Sequence, residues 1–189
     1  CLDSVYKQNY ENIEILVVDD SGEENAKSIV KSYNAKYIPK ANEGPQVARE
    51  VGFERSSGKF IQFLDDDDQL KPSKIQRQLQ LIINEPDIGV CYSGYQTRSG
   101  RVKLPKEKVK RDVLDFALKF EMSPCVTSTM LIGREELEAI QPFNRYRGAT
   151  DDVMKIKLAT RTEFDFVSLP LVVRKADEDS LGRSKKAVN

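Results

Sequence analysis

The chain has 189 residues, 39% hydrophobic and 32% charged, the length and balance of one soluble globular domain. Lysine plus arginine (30) equals aspartate plus glutamate (30), so no overall field draws the chain to nucleic acid or an anionic membrane. Histidine is absent, which excludes Ser-His and Cys-His nucleophilic machinery and histidine metal sites, and leaves acid–base and metal chemistry to carboxylates.

Taken in chain order, Leu2, Val5 and Tyr6 stand at helical spacing, and 13–18 (IEILVV) predicts a buried strand ending at Asp19-Asp20. Ser21-Gly22 breaks it, and Ala26, Ile29, Val30 and Tyr33 mark an amphipathic helix. A short strand at 35–38 leads through the loop 39–45 into a helix with Val47, Ala48 and Val51 inward, closed by Ser56-Ser57-Gly58. The strand 59–64 (KFIQFL) ends on Asp65-Asp66-Asp67-Asp68. Pro72 suits a first helical position, and the helix after it carries Ile75, Leu79, Ile82 and Ile83.

Beyond it come a strand at 88–95, a hairpin tip at Ser99-Gly100, a helix over 113–120 and a strand over 126–132. A helix at 135–140, another at 151–159 and a strand at 164–174 come next, and 175–189 reads as a charged tail. The catalytic unit is therefore expected over 1–174. Cys1, Cys91 and Cys125 lack metal-ligand spacing and read as reduced thiols of a cytoplasmic protein. No apolar run is long enough to span a bilayer, and the first residues lack the character of a signal peptide; peripheral association with the inner face of a membrane stays open.

Strands alternating with helices predict an α/β fold with a mostly parallel sheet, in which ligands gather beyond the C-terminal strand ends. Asp19-Asp20 and Asp65 to Asp68 both end strands there. Four successive aspartates repel one another and have no evident structural purpose. After an apolar strand they suit a hard cation, Mg²⁺ or Mn²⁺, which takes one or two carboxylates and keeps positions for substrate phosphates. Asp19-Asp20 reads equally as a turn that caps a helix or as an acceptor for a uracil N–H. In 42–52, NEGPQVAREVG, Gly44 frees the backbone and a helix starting near Pro45 offers N–H groups to an anion. Arg49, one turn in, can pair with a phosphate or with the aspartates, or serve as a structural ion pair.

Leu2-Asp3-Ser4-Val5 through Gln8, then ILVVDDS, then NEGPQVAREVGFERSSGKFIQFLDDDD and Pro72 resemble, in order and spacing, family 2 glycosyltransferases of the GT-A (Rossmann-like) fold. Gly148-Ala149-Thr150-Asp151-Asp152 is similar to the acidic pair before that family's last catalytic helix. The resemblance implies a nucleotide-diphospho-sugar donor, UDP-linked by preference, and a glycan, lipid-linked or other hydroxyl acceptor. It places Asp20 at the nucleotide base, Asn42, Gly44 and Arg49 along the donor, Asp67 at the ribose or sugar, and Asp68 on the metal. Asp152 is implied as general base for inverting transfer, with Asp151 as the alternative.

Two departures stand out: Glu50 replaces the usual asparagine, adding a negative charge near the anion site, and the family's first strand has no counterpart after Cys1. The sheet is thus expected to lack a central strand, and the chain to be less stable than one longer by roughly thirty residues, the length of a strand, loop and helix start. Two other classes compete with the transferase. One is a sugar-nucleotide-binding domain of the same fold without turnover. The other is a receiver-like phosphoacceptor module, for which the required Ser/Thr and lysine at later strand ends are not evident.

Overall fold

A computed structural model describes residues 1–143 and 150–175. The expected tail beyond Lys175, and Gly148-Ala149 of the acidic-pair motif, lie outside them. Helix α1 (Leu2–Tyr6) leads into strand β1 (Leu16–Asp19), short helix α2 (Lys27–Val30), strand β2 (Lys36–Pro39) and helix α3 (Pro45–Arg55). Then come β3 (Phe60–Ile61), β4 (Gln69–Leu70), α4 (Lys74–Asn84) and the long strand β5 (Ile88–Thr97). The rest is β6 (Val102–Lys103), α5 (Leu114–Leu118), a 3₁₀ turn (Thr127–Thr129), β7 (Leu131–Gly133), α6 (Arg134–Ala139), α7 (Thr150–Ala159) and β8 (Glu163–Arg174).

The α/β class is as expected, but the sheet is mixed rather than mostly parallel. Strands β1 and β2 pair in parallel as a two-stranded sheet. The other six form a second sheet in the order β3-β7-β5-β8-β4, with β6 hairpinned onto β5. In it β5 and β8 run parallel, while β3/β7, β5/β7, β4/β8 and β5/β6 are antiparallel. Among the described residues β1 pairs only with β2 and β3 only with β7, so each keeps an open edge. The sheet is thus divided in two.

Alternation along β5 builds a core on both faces of the larger sheet, because successive strand side chains point to opposite sides. Val90 and Tyr92 join Met154 and Leu158 of α7, Leu137 of α6 and Phe53 of α3 on one face. Cys91 and Tyr95 join Ile75, Leu79 and Ile82 of α4 on the other. Ile83 of the same helix, expected inward, is exposed because it lies a further 100° round the helix from Ile82. Helix α3 also differs from expectation. Val47, Ala48 and Val51 are only half buried, whereas Gln46, Glu50 and Phe53 are fully buried. Gly52 meets β1, its Cα so close to Val18 that a methyl there would lie 3.2 Å from Cγ2. Wedged between the two sheets, α3 buries more of its circumference than a surface helix does.

Candidate active site

At the end of β1, Asp19 and Asp20 have different tasks. Asp19 is buried and caps the turn after the strand, accepting the N–H groups of Ser21 (3.1 Å) and Ala26 (2.8 Å) and the Tyr37 hydroxyl (2.8 Å). These bonds, that from Ala26 foremost, hold its carboxyl at about 2. The parallel register puts Asp19 against Pro39, so the next pair, Asp20 and Lys40, meet as an ion pair. Asp20 also accepts the N–H groups of Glu43 (3.0 Å) and Gly44 (2.8 Å). Burial raises its carboxyl, but Lys40 and those two N–H groups outweigh it and hold it below the usual range. The loop is thus stapled to the strand, with Asn42 exposed on it. Gly44 has φ 97°, a left-handed conformation that a side chain would strain, and Pro45 comes next as the first helical residue.

The four aspartates separate by position. Asp65 is half buried; Arg49 donates to it at 2.9 Å, and its own N–H donates to Ser128 Oγ at 3.2 Å. Asp66 and Asp67 are exposed, and the Asp67 carbonyl is held by Arg98 at 2.9 Å. Asp68 is 2% exposed and turned inward, to Arg174 Nε and the Lys175 N–H, both at 3.3 Å. Antiparallel pairing of Gln69 with Val173 brings Asp68 opposite Arg174. Burial pushes the Asp68 carboxyl up, against the pull of Ser128 and Arg174. Arg174 also lies over the Tyr95 ring, 5.1 Å from its centroid.

Helix α7 supplies the other side. Arg49 reaches Asp151 at 3.1 Å as well as Asp65, so one guanidinium ties α3, the segment that follows β3 and the first turn of α7. Burial raises the Asp151 carboxyl, but Arg49 and Thr127 overcome it, and the group stays below the usual range. Asp152 pairs instead with Lys155 at 2.6 Å, and Lys155 is itself anchored on the Cys125 carbonyl at 3.2 Å. Glu50 is 7% exposed and accepts the Phe143 N–H at 2.9 Å. The charge that its presence adds is therefore spent on a loop.

The structure thus brings Asp65, Arg49 and Asp151 into contact, with Asp66 to Asp68 next to Asp65 and Asp152 next to Asp151. Asp20 joins from the neighbouring sheet through Gly44. Sequence reasoning missed Lys40, Arg98, Thr127, Ser128 and Arg174. Lys40 and Arg174 are placed by strand register, which no local pattern reveals. Among the described residues no three carboxylate or thiol groups are clustered as a closed metal cage. A Mg²⁺ or Mn²⁺ that keeps substrate phosphates among its ligands does not need one. The exposed Asp66 and Asp67 beside Asp65 fit that open kind of site.

The sequence profile described as "Glycosyl transferase family 2" matches residues 1–140. A glycosyltransferase of Rickettsia bellii, uncharacterized, is 35% identical over 99 residues, which is 50% of this chain and 14% of that one. An uncharacterized glycosyltransferase of Rickettsia prowazekii is 31% identical over 126 residues, 62% of this chain and 39% of its own. The chain therefore spans well under two thirds of these relatives. In fold it is similar to S. aureus TarS 1-349 in complex with UDP-GlcNAc, with TM-score 0.76 and 21% identity, covering 99% of this chain and 56% of that one. It is also similar to the mannosyltransferase PcManGT of Pyrobaculum calidifontis in complex with GDP-Man and Mn²⁺, with TM-score 0.71, 18% identity, and 95% and 53% covered. A receiver-like module finds no support in these matches.

Proposed function

The chain belongs to glycosyl transferase family 2, and on that premise we propose that it transfers a sugar, with inversion, from a UDP-sugar to an acceptor hydroxyl in glycan or polysaccharide assembly. The observation that carries this reading is the Arg49 bridge. It joins Asp65, the first of the acidic run that follows β3, to Asp151, 102 positions on from Arg49, and so supports a single site built from the acidic run and the acidic pair of α7. In the complexes similar in fold, UDP-GlcNAc and GDP-Man are the bound donors.

Asp20 has about four acceptor positions on its two oxygens and uses three, on Lys40, Glu43 and Gly44. The fourth suits the N3–H of uracil. The N-terminal turn of α3, with Asn42 and Gly44 before it, faces the anionic donor with N–H groups. For the cation we favour Asp67 over Asp68, because the Asp68 oxygens are held by Arg174 and the Lys175 N–H while the Asp67 carboxylate is exposed. When bound, Mn²⁺ or Mg²⁺ neutralises charge on the departing diphosphate.

Asp152 takes the proton of the acceptor hydroxyl, whose oxygen bonds to the anomeric carbon on the face opposite the diphosphate. The anomeric carbon–oxygen bond to phosphate breaks, and UDP leaves with that electron pair. Lys155 and its anchor on Cys125 fix where Asp152 points; Asp151, engaged by Arg49, holds the site together. Asp152→Asn is expected to cut transfer by about 10²–10⁴ while donor affinity stays nearly unchanged. Asp151→Asn is expected to lower stability and donor affinity together. If Asp151→Asn is inert in transfer with donor affinity intact, and Asp152→Asn remains active, the base is Asp151. If both turn over normally, neither is the base. Donor binding by the wild-type chain without transfer to any acceptor would identify a binding domain.

A further inference from the structure

Among the described residues, Gln46 Oε1, Gln46 Nε2 and Thr127 Oγ1 are buried without a hydrogen bond of ordinary length, although the Thr127 hydroxyl is near enough to Asp151 to help hold that carboxyl charged. Gln46 is 3% exposed and Thr127 1%. Native proteins pair nearly all such atoms, so a buried carboxamide with both ends unpaired asks for a partner from outside. An apolar residue would fill the same space without that cost.

Both side chains flank the Arg49 bridge. Gln46 lies one helical turn before Arg49 and Glu50, on the same face of α3. Thr127 donates its backbone N–H to Asp151 Oδ2 at 3.4 Å, and the next residue, Ser128, receives the Asp65 N–H. The two residues thus border the Arg49 bridge, Gln46 on α3 and Thr127 on the 3₁₀ turn.

We propose that Gln46 and Thr127 form the subsite that reads the hydroxyl groups of the donor's sugar ring. The inference rests on the donor site proposed above. A carboxamide offers an acceptor oxygen and N–H donors side by side, and a threonine hydroxyl gives and takes one bond. Phosphate only accepts and would leave Oε1 unpaired; a metal ion would leave Nε2 unpaired. The uracil edge could match both, but it is assigned to Asp20 at the other end of the turn. Neighbouring sugar hydroxyls, each able to donate and accept, satisfy all three atoms.

The test compares UDP with UDP-glucose, UDP-galactose and UDP-GlcNAc by calorimetry in Mn²⁺, using wild type, Gln46→Met and Thr127→Val. Wild type is expected to bind one of the sugars more tightly than UDP. Gln46→Met should weaken that sugar by about tenfold while leaving UDP nearly unchanged, and Thr127→Val should act in the same sense. The unfolding temperature of Gln46→Met should match or exceed that of wild type, since an unpaired buried amide is removed. Equal losses for UDP and the UDP-sugar, or no loss in either variant, would overturn the subsite. So would a wild type that binds every sugar no better than UDP. Failure of wild type to bind UDP at all would instead defeat the donor site itself, and the subsite with it.

Discussion

Within the run of four aspartates, neighbours of identical chemistry are given separate tasks by where the backbone points them. Asp68 locks the loop to the end of β8, whereas Asp67 faces solvent with its carbonyl held by Arg98. Asp68→Asn is therefore expected to lower stability by about 1–3 kcal/mol, the usual cost when a buried group loses a charged partner, and to leave metal-dependent UDP binding largely in place. Asp67→Asn should do the reverse. Thermal unfolding and UDP titration in Mn²⁺, run on both variants, check this; the opposite pattern returns the metal to Asp68. The sequence grouped these carboxylates after an apolar strand, a local pattern, although the strand stops at Ile61 and the run instead leads into β4. It did not tell their orientations apart, since Asp68 is turned inward by Arg174, 106 positions away.

At the scale of elements, α4 carries a lysine where its pattern leads one to expect only apolar anchors. Lys74 is fully buried, with the Gln62 and Gln78 side-chain oxygens as partners, and Gln78 in turn donates to the Cys91 and Thr129 carbonyls. Burial brings its amine down to about 7. The unfolded chain, with an ordinary value near 10.5, then binds more protons than the folded one between these limits. Stability should rise as pH climbs from about 7 towards 10.5, and the part that depends on Lys74 is lost as pH falls back to 7. Lys74→Met should flatten that rise in denaturant unfolding from about pH 7 to 10, and cost stability at the upper end by leaving two buried amide oxygens unpaired. An unchanged slope would show that Lys74 does not titrate in this window. Gly94 of β5 is another contact the pattern hides. A methyl there would stand 2.6 Å from the Lys103 carbonyl oxygen of β6, so Gly94→Ala should pry the hairpin away and destabilise by about 1–3 kcal/mol. Long periodic elements such as α4 and β5 were legible in sequence. The two-residue β3 and β4 owe their form to their pairing partners, and the 3₁₀ turn at Thr127 displaced an expected strand.

For the whole molecule, the divided sheet and the joined site are the two facts to reconcile. Among the described residues β1 and β3 each present an unpaired edge, yet Arg49 in α3 and the Asp20–Gly44 bonds tie the segments that follow both strands to α3. Amides on an unpaired strand edge open readily, so those of 16–19 and 60–61 that face the break should exchange with solvent faster than those inside β5. Equal protection would mean that the open edges are covered. The central claim is that this site holds a UDP-sugar through its diphosphate and a divalent cation. Titration of UDP into the protein, with Mn²⁺ and then with excess chelator, tests it most directly. Binding is predicted with the metal, sharply weakened by chelation and by Asp67→Asn. Absence of UDP binding with Mn²⁺, or binding indifferent to the chelator, would contradict it.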